Sequence, residues 1–203
     1  MRRTIVLLFA TVVGAGCVGS ALESKREAPE VYRLAAPTLP DAGAPLPAAL
    51  AVGRPRAAAA LDTDHIAVSG PQTRFDYYAG VRWAEPAPLM LQQALVQALA
   101  ADGRFATVVA TPSRVPVEYA LDVELRSFEA ASNGEGAPVV RVALQVTLLD
   151  SRKGTRVTSF PADAQVAAAS ERRADVLAAF DAATQQVIGS VVASVRAAAG
   201  GAG

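Results

Sequence analysis

Nothing constrains the fold of this chain more than the alternation of apolar and polar residues in its second half. Tyr119, Leu121, Val123 and Leu125 alternate with Ala120, Asp122, Glu124 and Arg126. After the turn sequence Asn133-Gly134-Glu135-Gly136, Val140, Val142, Leu144, Val146 and Leu148 alternate with Arg141, Ala143, Gln145 and Thr147. Side chains of a strand point to opposite faces in turn, so each run predicts a strand with one buried and one wet face. Ser151-Arg152-Lys153-Gly154 turns the chain again. A third run then carries Val157 on one parity but Phe160, Ala162, Ala164 and Val166 on the other. A bulge near Ser159-Phe160-Pro161 would reconcile the two parities. Three long antiparallel strands in succession make a meander.

A meander needs something to cover its apolar face. Leu177, Phe180, Thr184, Val187, Val191 and Val195 recur at helical spacing, widened by Val176, Ile188 and Val192, in an element expected to begin at Ser170-Glu171. A second helix is expected with Pro86 and Pro88 at its start, since proline suits the first turn of a helix. Leu91, Leu95, Ala98 and Leu99 form its apolar face, Gln92, Gln93 and Gln97 are expected to face away, and Asp102-Gly103 ends it. Shorter strands are read at Val31 to Leu34, Leu50 to Val52 and Phe105 to Ala110, with a hairpin from His65 to Ser69 and Thr73 to Val81 about Gly70-Pro71. Residues 35–49 contain four prolines and read as loop, and 56–60 as loop or one helical turn. These elements predict an α+β domain, an antiparallel-rich sheet packed against two helices in two layers. Its expected limits are 31–199, followed by a flexible tail at 200–203.

Composition narrows the function classes. The 203 residues carry 19 basic and 19 acidic side chains, which leaves no bulk field to draw the chain to nucleic acid. A single Cys excludes an intramolecular disulfide, and with a single His it argues against a structural zinc site. The hydrophobic fraction of 52% includes 45 alanines, so the core rests on fewer large side chains than the figure suggests.

The N-terminus accounts for the lone Cys. Met1-Arg2-Arg3 is a short basic start, Thr4 to Val13 is uncharged, and Gly14-Ala15-Gly16 precedes Cys17. This is the layout of a secretory signal peptide over residues 1–16, and its apolar run is too short to span a bilayer. The segment resembles a bacterial lipobox, with Gly14 where such boxes usually carry Leu. An ordinary signal peptide with an incidental Cys is the alternative. Arg2-Arg3 before Thr4-Ile5-Val6 matches the twin-arginine pattern poorly. The lipobox resemblance implies acylation of Cys17, palmitate among the chains, and Val18 in the next position implies sorting to the outer membrane. Residues 17–30 would then be the lipidated N-terminus and its polar tether.

Two groups invite a chemical reading. Asp62-x-Asp64-His65 is the one tight acidic and His grouping, but it offers too few metal ligands and suits turn formation better. No G-x-S-x-G, H-E-x-x-H or phosphate-cradling glycine loop occurs. Phe75, Tyr77, Tyr78 and Trp83 make an aromatic cluster, either a partner surface or core filling, with core filling favoured for Trp83. The expectation is a protein with no catalytic, cofactor or metal residues, and with Cys17 as its lipid attachment site.

Taken in order, several segments resemble the ABC-type transport auxiliary lipoprotein family, the PqiC-type component of MCE lipid-transport systems. They are Cys17, Val31-Tyr32-Arg33-Leu34, Leu50 to Pro55, Leu61 to Val68, Tyr77 to Pro86 with its Arg82-Trp83-Ala84-Glu85-Pro86 ending, the helix from Leu89 to Leu99, Gly103-Arg104-Phe105 and the meander. The resemblance implies a non-enzymatic, lipid-anchored protein on the periplasmic face of the outer membrane. Its implied partners are an MCE-domain protein and an inner-membrane ABC transporter moving phospholipid or another hydrophobic molecule, and a homo-oligomer stays open. An envelope assembly lipoprotein that handles no lipid is the competing reading, and an unrecognised secreted hydrolase a third.

Overall fold

The long alternating runs are the backbone of a nine-stranded sheet in the computed structural model of the protein, which describes residues 28–35, 45–71, 74–132, 134 and 136–200. The expected signal peptide, Cys17, most of the tether, Thr73, Asn133, Glu135 and residues 201–203 lie outside the described residues. The meander consists of β7 (Tyr119–Ala131), β8 (Val139–Asp150) and β9 (Thr155–Ala167), all antiparallel. Leu121, Val123, Leu125, Val140, Val142, Leu144, Val146 and Leu148 are all buried. The predicted parity change in β9 is present but lies earlier. Leu148 pairs with Thr158 and Leu149 with Arg156, so Val157 is the extra residue, and Ser159 to Pro161 are already in regular register. A second irregularity, between Leu125 and Ser127 in β7, turns Phe128 and Ala130 inward. Their parity therefore differs from that of Leu121 to Leu125.

The other edge of β7 is shared by three strands in succession. These are β2 (Leu46–Val52) at residues 119–121, β3 (Arg56–Ala57) at 124–125 and β4 (His65–Ser69) at 129–131. All three pairings are parallel. Beyond them lie β6 (Phe105–Ala110), parallel on β2; β5 (Phe75–Trp83), antiparallel on β4; and β1 (Glu30–Tyr32), parallel on β5. The sheet is thus mixed: its longest ladders are antiparallel and its shorter ones mostly parallel, within an α+β fold.

Several boundaries differ from the sequence reading for identifiable reasons. β2 begins at Leu46, inside the proline-rich stretch expected to be loop. Pro47 fits there because the register of β2 on β6 breaks between Leu46 and Ala49, where no ladder N–H is demanded. Residues 56–57 are strand because β7 offers them an edge. β1 ends at Tyr32, after which the Ala35 N–H donates to Asp181 instead of a strand neighbour.

α1 (Ala87–Asp102) packs on β2 and β6, and α2 (Arg173–Gly200) packs on β8 and β9; the two helices also touch each other. α1 starts as expected, with Pro86 at the cap, and stops at Gly103, whose φ of 69° closes the helix through an N–H to the Ala100 carbonyl. α2 starts at Arg173 rather than Ser170, where Ser170 and Arg172, just ahead of the helix, bond to each other and to Asp175 in its first turn. By length and composition α2 could cross a membrane. Its apolar stripe, Val176 through Val195, is instead buried core.

One corner of the sheet is held by a carboxylate. Glu118 accepts hydrogen bonds from the Ala49 N–H at 2.7 Å and from Arg152 at 2.6 Å, fastening β2 to the turn after β8. The Ala49 bond, then Arg152, hold its carboxyl below the usual glutamate range. A depressed folded-state pKa stabilises fully above the unfolded value and loses that contribution as pH falls through the folded one. Acid titration of unfolding midpoints below about pH 4 should therefore be flatter in Glu118→Gln than in the parent chain.

Candidate interaction surface

Strand periodicity decides which aromatics reach solvent. In β5, Phe75 and Tyr77 point to the same side and are 40% and 38% exposed. Between Tyr77 and Arg82 the register on β4 breaks: Ala67 pairs with Tyr77 but His65 with Arg82, and Gly80 takes a φ of 73°. That bulge restores inward direction to Val81 and Trp83. Trp83 packs in the core against Phe128 at 5.4 Å and Phe180 at 5.2 Å, as the sequence suggested. Tyr78 is half-buried, and burial, with Glu171 nearby, raises its phenol pKa. The aromatic cluster read from sequence is therefore two groups, one core and one surface.

The surface group is ordered. Tyr77 stands edge-on to Phe75 with centroids 5.6 Å apart and tilted against His65 at 5.2 Å, and its hydroxyl donates to the Ala60 carbonyl at 3.1 Å. Arg82 sits opposite both His65 of β4 and Val31 of β1, so Val31, Arg82 and His65 form one row across three strands. Val31 is 63% exposed. Pro29, His65, Tyr77, Tyr78 and Arg82 wall a concavity of about 570 Å³ over the bulge.

The Asp62, Asp64 and His65 grouping comes apart. Asp62 pairs with Arg54 at 2.5 Å, whereas Asp64 faces Arg82 at 3.4 Å and the His65 ring at 3.6 Å. Among the described residues no three His, Cys, Asp or Glu side chains converge as a metal-ligand set. A second concavity, about 470 Å³, lies between α1 and the segment after β1, lined by Arg33, Leu34, Glu85, Met90, Gln93 and Gln97.

The sequence reading misplaced Gln92 and did not anticipate the burial of Asp102. Gln92, expected to face away from the core, is 3% exposed, and its side-chain amide donates to the carbonyls of Val52 at 2.9 Å and Thr111 at 3.2 Å. Residues 92, 95, 99 and 102 follow one line down α1, so its spacing already placed it beside Leu95 and Leu99. Asp102, at the end of that line, is buried and paired with Arg196 of α2.

The described residues of this α+β domain expose an aromatic strand face and paired surface charges. The chain belongs to the family of ABC-type transport auxiliary lipoprotein components, which matches residues 32–192. Protein XCC0632 of Xanthomonas campestris, assigned to DUF330, is similar in structure, with 27% identity, a TM-score of 0.77, and coverage of 84% of this chain and 96% of that one. An uncharacterised protein of 13% identity has a TM-score of 0.66 over 83% of this chain and 99% of its own. The hypothetical protein CT253 of Chlamydia trachomatis, 10% identical, has a TM-score of 0.51 over 74% of this chain and 96% of its own. The last two share the fold alone. No curated protein sequence matches this chain.

Proposed function

We propose that this chain is a non-enzymatic lipoprotein, anchored through Cys17 to the periplasmic face of the outer membrane, and an auxiliary subunit of an ABC/MCE-type system moving phospholipid or a similar molecule between membranes. The family match over residues 32–192 carries the reading. Its support from the sequence is the basic start, the short apolar run and a lone Cys after three small residues. Stable anchoring takes two lipid signals, which multiple acylation of one Cys supplies. The non-catalytic part is supported by Asp64 and Arg82, whose charges are paired with each other at the surface.

Cys17→Ser is expected to move the protein from the membrane fraction to the soluble one and to abolish the mass increment of acylation. Unchanged fractionation of that variant would sink the anchor. Affinity capture of the wild-type chain from detergent-solubilised envelopes should recover an MCE-domain protein with an ATPase and a permease. Recovery of none of these would remove the transport role.

A further inference from the structure

We propose that the outward face of the β4–β5 hairpin, with Val31, Phe75 and Tyr77 at its centre, is the surface on which the domain rests against the phospholipid bilayer; this rests on the Cys17 anchor. Three observations converge. The exposed large hydrophobic side chains among the described residues are Val31, Phe75, Tyr77 and Val115. Three of these four share the β1–β5–β4 side of the sheet, since Val31 stands opposite Arg82 and Tyr77 stacks on both Phe75 and His65. Second, the chain leaves for its anchor at this place, because Pro29 belongs to the same wall as His65, Tyr77 and Arg82.

Third, the reach of the tether selects this face. The twelve residues from Cys17 to Ala28 span at most about 40 Å fully extended. β7 has thirteen residues, so its two ends lie about 40 Å apart. The hairpin face sits at the C-terminal end of β7, where Ser69 pairs with both Ala131 and Phe75. Val115 belongs to the loop entering the opposite end. The hairpin face can meet the membrane at any tether extension, and the Val115 end only with the tether fully drawn out.

The side chains suit the boundary between headgroups and acyl chains. Tyrosine places its ring in the apolar zone and its hydroxyl in the polar one, and arginine lays an apolar stem along the interface. The cations here are matched: Arg74 faces Asp76 at 3.2 Å and Arg82 faces Asp64 at 3.4 Å. The contact is therefore apolar insertion, and its strength should not depend on anionic lipid.

The test uses the full acylated chain in phosphatidylcholine vesicles, with and without brominated acyl chains. Phe75→Trp should lose about a third or more of its added emission in brominated vesicles, because interfacial side chains sit ~5–10 Å into the headgroup and acyl boundary. The quenching should persist when salt is raised. The parent chain, whose Trp83 is buried, and Val115→Trp should be unaffected. Tyr77→Trp repeats the measurement independently. An anchored Phe75→Trp that is unquenched, or quenched no more than Val115→Trp, overturns the assignment and gives the face to a protein partner. Vesicle flotation reads the anchor separately. Cys17→Ser that floats like the parent defeats the anchor, whereas a floating parent with an unquenched Phe75→Trp defeats only the face.

Discussion

Phe180→Ala is expected to cost about 3–5 kcal/mol, the range for deleting a fully buried aromatic side chain. Phe180 is 0% exposed. Its ring lies 5.0 Å from Phe128 and 5.2 Å from Trp83, and those two are 5.4 Å from each other. The triangle joins α2, β7 and β5, so its loss loosens the helix from two strands that do not neighbour each other in the sheet. In a core where alanine supplies much of the count and little of the volume, few side chains can move in to fill the space. Domains of this size are stable by about 5–15 kcal/mol, so urea unfolding followed by Trp83 fluorescence should lose a large part of its range. Phe180→Leu, which keeps most of the volume, should cost less than about 1.5 kcal/mol. Phe75→Ala removes the same side chain from the surface and should fall within about 0.5 kcal/mol of the parent. Equal losses for Phe180→Ala and Phe75→Ala would refute this account of the core.

Gln92→Glu is the second large effect. The amide of Gln92 donates to the Val52 and Thr111 carbonyls. Val52 keeps a further partner in the Thr111 N–H at 3.0 Å. Gln92→Leu leaves the Thr111 carbonyl without this donor and should cost about 1–3 kcal/mol. Gln92→Glu places an acceptor-only group against two carbonyl oxygens in a buried site, and about 3–5 kcal/mol is expected at neutral pH. The pH dependence separates the two variants. Burial beside two carbonyls raises the folded-state pKa of the introduced acid. The penalty is therefore absent below the unfolded value of about 4.3 and grows as pH rises toward the folded one. Urea midpoints of Gln92→Glu should recover on acidification and those of Gln92→Leu should not; parallel pH profiles would contradict the assigned donor role.

What could be read from the sequence follows from how local each determinant is. The meander was legible because alternation and turn residues report on the same few residues that pair. The stripe of α2, the proline start of α1 and its Gly103 stop are local in the same sense. Parallel pairings were not legible, since nothing near Leu50, Arg56 or Ala67 reveals that each will meet β7 some 60 to 70 residues on. Prolines hid the start of β2, because a proline tolerated at a register break looks the same as one in a loop. Gln92 was misread by residue type when its position on the helix said otherwise. In the aromatic cluster, Phe75 and Tyr77 part from Trp83 through a bulge at Gly80 that the sequence alone does not place. The proposed anchor residue, Cys17, rests on a pattern of sequence neighbours alone.

β7 also orders events in time. A ribosome or a translocation pore delivers a chain from its N-terminus, so β2, β3 and β4 emerge well before the strand they share. Until residues 119–131 arrive, β2, β3 and β4 lack the backbone partner that closes their parallel ladders, and such non-local pairing is slow. In the first half of the molecule β2 can pair with β6 and β4 with β5, but the edges of β2, β3 and β4 that face β7 stay open while the second half is still being delivered. That interval places a premium on whatever chaperones the unfinished chain.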